Sequence, residues 1–253
     1  MGVRFCQGAK NSSSAWKSRT GYGILKTAAA AHETKRMNGS VQMMEQINQE
    51  LKVYIETNIL PLYQGFDAAH GPAHVRQVLE NSLALIPAAR ELFGEVDAGM
   101  VYAIAAYHDT GLQFGRENHE KTSGAYLLAD KNLSRWFSPG QIKTMGEAVE
   151  DHRASSGKEP RSVYGRIVSE ADRDIDPQRI VRRVMEYGLA TKPELSAEAQ
   201  VRRAVEHIRE KYGEEGYMRR YLPCPQNEQG LATLRKWLCT GEIYELCRKH
   251  LKI

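Results

Sequence analysis

The residues with the most chemistry in this 253-residue chain are imidazoles and carboxylates. The adjacent pair His108-Asp109 closes the apolar run Met100 to Tyr107. A carboxylate leaving a buried helix needs a compensating partner, because an unpaired charge in apolar surroundings is costly. Candidates stand on both sides: His70 and His74 before the pair, His119, His152 and Asp172 after it. One histidine alone is more often a surface or core residue than a ligand. The joint pattern says more, because five of the eight histidines fall between positions 70 and 152, each near an expected helix end. There a polar side chain reaches a shared cavity without crossing the apolar core. Imidazoles mixed with carboxylates suit a borderline divalent ion (Mn, Fe, Co, Ni or Zn) better than Ca; Mg is also admitted. Aspartates offset the charge of such ions, and a bridging carboxylate holds two of them close together. His70 and His74 have the i,i+4 spacing of a helical ligand pair. Gly71-Pro72 intervenes, so His74 is the expected ligand. His70 stands ahead of the helix, supporting a ligand, facing substrate or exposed.

The elements that must position these residues read as helices. Met44, Ile47, Leu51, Tyr54, Ile55 and Ile59 fall on one stripe that ends at Pro61. After a loop over 62–71, Pro72 suits a first helical position, and Val75, Val78, Leu79, Leu83 and Ile86 form an apolar face that should stop near Pro87. The next helix, about Asp97 to Asp109, is apolar nearly all round and should be central. Further helices are expected from near His119, from Ser138-Pro139, across Val163 to Ala171, from Pro177, over 196–213 and over 229–250, with a polar loop from Asp151 to Pro160. No period-two strand and no repeat stands out. The fold class is all-α, a helical bundle in one domain over 37–253, with a site core at about 66–176 and extra C-terminal helices over 177–253.

Composition narrows the function. Residues 1–36 hold Arg4, Lys10, Lys17, Arg19, Lys26, Lys35 and Arg36 against Glu33 alone, whereas the rest of the chain carries 28 basic and 30 acidic residues. The overall charge of +4 therefore belongs to that segment, expected to be disordered or extended, and gives no case for specific nucleic-acid binding by the body. No apolar run is long enough for a membrane span, and no secretory leader is evident. The cysteines Cys6, Cys224, Cys239 and Cys247 form no C-x-x-C motif and read as the reduced thiols of a cytoplasmic protein.

The order His74, His108-Asp109, Asp172, set in His70-Gly-Pro-Ala-His74-Val-Arg-Gln-Val78, Ala105-Ala-Tyr-His108-Asp-Thr-Gly111 and Glu170-Ala-Asp172-Arg173, resembles the HD-domain metal-dependent phosphohydrolases. The resemblance implies a helical bundle with His74, His108, Asp109 and Asp172 around one ion. It also implies a second ion on His119 and His152, with Asp109 bridging. Two branches of the family fit poorly. Leu112-Gln113 stands where the guanosine tetraphosphate hydrolases carry Glu-Asp, and Asp151-His152-Arg153 lacks the His-His and later Gly-Tyr-Pro of the cyclic-dinucleotide branch. The expected reaction is hydrolysis of a phosphate ester or anhydride, of a nucleotide or another small phosphorylated molecule, by metal-activated water. Asp109, Glu120 and Arg153 are the expected catalytic residues. Glu117 is an alternative proton carrier, and Arg116, Lys121 and Arg173 are further cations near the ligands. The same ligand order also occurs in HD-fold di-iron oxygenases. A non-catalytic nucleotide-binding module is a third reading, to which Tyr217-Met-Arg-Arg-Tyr221 could contribute, although a helix end with exposed charge is the plainer account of that stretch. The expected partner is a small phosphorylated substrate, with no membrane; an oligomer is neither required nor excluded.

Overall fold

The structure is a computed structural model that describes residues 42–67, 69–153 and 158–251. The expectations for residues 1–36 and for Cys6 lie outside the described residues. No strand occurs among the described residues, so the all-α expectation holds. Helices α1 (Gln49–Asn58), α2 (Pro72–Phe93), α3 (Ala98–Tyr107), α4 (His119–Ala129), α5 (Pro139–Glu150) and α6 (Val163–Asp172) surround one apolar core. Helices α7 (Pro177–Thr191), α8 (Ala197–Tyr212), α9 (Pro225–Thr240) and α10 (Glu242–Arg248) build a second apolar cluster with Ile175.

The starts of these helices follow from local chemistry. Asn48, Asp97, Ser138, Ser162, Asp176 and Ser196 each accept a backbone N–H of the first turn through the side chain. Such caps satisfy donors that a helix leaves orphaned. Ser138 and Gln141 form a full capping box at α5. Three boundaries differ from the sequence expectation. The first stripe is interrupted, because Asn48 caps a new helix at Gln49. Helix α2 runs through Pro87 to Phe93 rather than stopping at the proline. Pro87 removes one backbone donor, but Leu83, Ile86 and Ala89 around it are buried against the core and hold the helix together. The expected last helix is two: Pro225 starts α9, and Gly241, at φ 78°, ends it and turns the chain into α10. A left-handed residue at that place favours glycine.

Helix α3 is buried along its whole length and packs against α2, α5 and α6. It is the post from which the site is hung. Gly111, just beyond it, has no room for a Cβ, which would collide with the carbonyl of His119 and with Thr122. Its N–H donates to Ser123 Oγ at 2.7 Å, locking the start of α4 beside the end of α3.

Candidate metal centre

Six side chains converge from five helices, all at helix ends. His74 lies in the first turn of α2, His108-Asp109 directly follows α3, His119 opens α4, His152 follows α5 and Asp172 closes α6. The expected placement at helix termini holds for every one of them.

The two oxygens of Asp109 face two different groups. Oδ2 lies 3.5 Å from His74 Nε2 and 3.2 Å from His108 Nε2. Asp172 Oδ1 completes that side at 3.2 Å from His74 Nε2 and 3.9 Å from His108 Nε2. Oδ1 of Asp109 lies 3.4 Å from His119 Nε2 and 3.5 Å from His152 Nε2. His74, His108 and Asp109 thus form one group able to hold a metal ion, and Asp109, His119 and His152 form another.

The tautomers suit ligation. Nδ1 of His108, His119 and His152 sits 2.8, 3.1 and 2.6 Å from the carbonyl three residues back, of Ala105, Arg116 and Val149 respectively. Nδ1–H donates to that carbonyl, so Nε2 turns its lone pair to the centre. Ligand histidines are commonly oriented in this way. Both Ala105 and Val149 lie in the last turns of their helices, and the Val149 carbonyl also accepts the backbone N–H of His152 at 3.3 Å. Tyr63 completes the C-terminus of α3: its hydroxyl donates to Ala106 O at 2.9 Å and accepts from Asp109 N at 3.2 Å.

The electrostatics also favour a cation. Burial alone would lower the pKa of His74, but Asp109 and Asp172 outweigh it and push it up to about 9. The same opposition of burial and carboxylate raises His152. Asp109 and Asp172 are driven the other way: burial would raise them, and the surrounding imidazoles hold both well down in the ionised form. Burial and the negative charge of Asp109 raise Tyr63 far above an ordinary phenol, so it remains a neutral hydrogen-bonding post. Two ionised carboxylates thus draw protons onto His74 and His152, and a divalent ion could take the place of such protons.

The remaining candidates separate by position. Glu120 and Arg153 meet at 2.9 Å beside His119. Burial would raise Glu120, but its own backbone N–H and Arg153 hold its carboxyl below the ordinary range. His70 stands edge-to-face with His74, ring centres 5.9 Å apart, its Nδ1 2.8 Å from Asp67 Oδ1. Arg116 is exposed and pairs with Asp67 at 3.4 Å; Glu117 and Lys121 are exposed. Arg173 is buried and engaged, with Nη1 2.8 Å from Glu170 Oε2 and its guanidinium 4.7 Å from the centre of the Tyr221 ring. It is therefore a strut rather than a free phosphate contact. The stretch 217–221 is irregular, not a helix end.

Sequence reasoning passed over Tyr63, Glu170 and Asn227. Glu170 is fully buried two residues before Asp172. It accepts from Arg173, from Tyr221 N at 3.1 Å and from Asn227 Nδ2 at 3.0 Å, joining α6 to α9 and the segment ahead of it. A charged residue on the apolar side of α6 was the available signal.

The family model of the HD domain matches residues 73–174, a stretch that contains all six converging residues and ends where the second apolar cluster begins. Neither the curated proteins nor the solved structures gave a match.

Proposed function

We propose that this chain, whose residues 73–174 match the HD-domain model, is a metal-dependent phosphohydrolase cleaving a phosphate ester or anhydride of a small molecule at a two-ion centre. The observation that carries this reading is Asp109, whose two oxygens face two separate groups of imidazoles. His74, His108 and Asp172 would hold one ion, His119 and His152 the other, with Asp109 shared between them. Divalent ions bound there supply Lewis acidity and bring the pKa of a coordinated water toward neutrality.

The protein groups around the ligands fit the demands of such a reaction. Arg153, half-exposed beside the second group, offers the planar donors that match phosphoryl oxygens. Glu120 keeps that guanidinium in place and, being ionised, can take up a proton. His70, whose Nδ1 is engaged by Asp67, retains Nε2 for proton transfer to a leaving oxygen at the rim. No helix among the described residues is long and apolar enough to cross a membrane.

The test is phosphate release from a panel of nucleotides, sugar phosphates and other phosphoesters, with Mn, Co or Mg added. Turnover of at least one class is expected. Metal-loaded protein with no turnover on any of them overturns the proposal.

A further inference from the structure

Of the six converging residues, Asp172 lies at the seam between the two apolar clusters, after Ala171 of the first and ahead of Ile175 of the second. It closes α6, and the matched stretch ends two residues later. Its carboxylate pairs with His74 and His108, the rings of the first group. Here the chain leaves the helix, and Arg173 is extended at ψ 113°. The last four carbonyls of a helix have no partner within it, so its end is only as fixed as the groups that take those carbonyls up.

Two asparagines from different helices take up two of them. Asn81 Nδ2 donates to Ala171 O at 3.1 Å, and Asn227 Nδ2 donates to Glu170 O at 3.2 Å. Asn81 stands on α2 seven residues after His74, two turns along the same face. The helix that presents one ligand therefore also holds the backbone beside another. Asn227 comes from the first turn of α9, beyond the matched stretch. It is buried, and its Nδ2 also reaches Glu170 Oε1 at 3.0 Å. An amide nitrogen has two hydrogens, one for each of these acceptors.

Helix α9 and the segment ahead of it meet this corner at two further places. Gly230, three residues on from Asn227, has no room for a Cβ, which would collide with the carbonyl of Ile175. The ring of Tyr221 lies against the Arg173 guanidinium, and Tyr221 N donates to Glu170 Oε2 at 3.1 Å. Residues 170, 171, 173 and 175 are thus each held by groups from outside α6, and Asp172 between them turns its carboxylate to the imidazoles. The rings of the second group are anchored differently. His119 and His152 rest on the carbonyls of Arg116 and Val149, both inside the matched stretch.

We propose that Asn227 and Asn81 are positioning residues for Asp172, which makes α9 part of the metal centre: a shift of α9 loosens the first ion and spares the second. This inference rests on the two-ion reading above and goes beyond it, because the affinity for one ion then depends on a helix outside the matched stretch.

The experiment is titration calorimetry of the full chain with Mn, for wild type, Asn227→Ala and Asn81→Ala, each also in the His119→Ala and His74→Ala backgrounds. The first background keeps the ion of His74, His108 and Asp172, and the second keeps that of His119 and His152. Loss of a group that orients a ligand costs about tenfold or more in metal affinity. In the His119→Ala background both asparagine variants should weaken Mn binding about tenfold, with a smaller loss for Asn227→Ser, which retains one donor. In the His74→Ala background the same changes should leave Mn affinity unmoved. Leu133→Ala, which opens a cavity in the first apolar cluster, controls for lost stability and should move neither ion. Thermal unfolding shows which variants are folded at the titration temperature; if Asn227→Ala is not, Asn227→Ser and Asn81→Ala decide the question. First-ion affinity unmoved by the asparagine variants, equal weakening of both ions, or an equal loss in Leu133→Ala overturns the inference while the two-ion reading stands. A wild type that binds one Mn or none shows instead that the two-ion reading has failed, and the inference with it.

Discussion

Replacing Glu170 with alanine should damage this protein more than any change at its surface. The carboxylate is fully buried and receives three donors: Arg173 at 2.8 Å, Tyr221 N at 3.1 Å and Asn227 Nδ2 at 3.0 Å. Arg173 is itself nearly buried, and its Nε has no hydrogen-bond partner among the described residues, so Glu170 is the carboxylate that compensates its charge. Truncation leaves a guanidinium uncompensated in the interior, which costs about 3–5 kcal/mol. Unsatisfied donors at Tyr221 and Asn227 add on the order of 1 kcal/mol each where water cannot reach them. Against a total stability of roughly 5–15 kcal/mol this is a large share. In thermal unfolding it corresponds to a fall of about 10 °C or more, at about 2–4 °C per kcal/mol for a chain of this size. Glu170→Gln keeps the shape and the acceptor but not the charge, and should fall between the two. Removing both partners, as Glu170→Met with Arg173→Met, should recover much of the loss, since no lone charge then remains. Urea and thermal unfolding of these four proteins, together with the single variants Glu170→Met and Arg173→Met, decide the matter. A Glu170→Ala variant within about 1 kcal/mol of wild type, or a double variant as unstable as the sum of the singles, would refute the buried-pair argument.

Two further outcomes follow from the site. In the metal-free protein His74 titrates near 9, above its ordinary 6.5, so below about pH 9 an incoming ion must displace its proton. Apparent Mn affinity should therefore climb with pH toward 9, by about tenfold per unit for each displaced proton, and uptake at pH 7 should release at least one proton per chain; affinity that is flat over this range contradicts the assignment. Arg153→Ala should lower kcat/KM by about tenfold or more, as expected for a lost charge-assisted contact to a phosphoryl group. Glu120→Gln should act in the same direction, and the double variant should be worse than Arg153→Ala, because Glu120 also takes up a proton; a double variant no worse than Arg153→Ala would show that Glu120 acts only by placing the guanidinium.

The six converging residues were legible because each is a residue type with few structural uses, placed at a predictable helix end. Periodicity located α3 and thereby made His108-Asp109 the pivot. What periodicity does not encode is which side of a carboxylate faces which ring. The division of Asp109 between two groups depends on the crossing of five helices, fixed in part by Gly111 against α4 and by Tyr63 on the end of α3. Arg173 misled because an arginine next to an aspartate reads as a surface charge or a substrate contact, and its partner Glu170 lies one helical turn away at i−3, a common surface spacing. Asp130 was invisible for a similar reason: its carboxylate accepts from Tyr54, 76 positions earlier, and from Tyr107, and nothing local announces either bond. Pro87 was read as a stop because its local cost is real, but the buried turns on either side outweigh it. The split at Gly241 was overlooked because the apolar stripe continues across it.

The central claim is that Asp109 joins two metal sites, and counting the ions tests it most directly. Elemental analysis of purified, metal-loaded protein should find two divalent ions per wild-type chain and one in His119→Ala, with the fold intact by circular dichroism. A single ion in the wild type, or two in His119→Ala, would contradict the account.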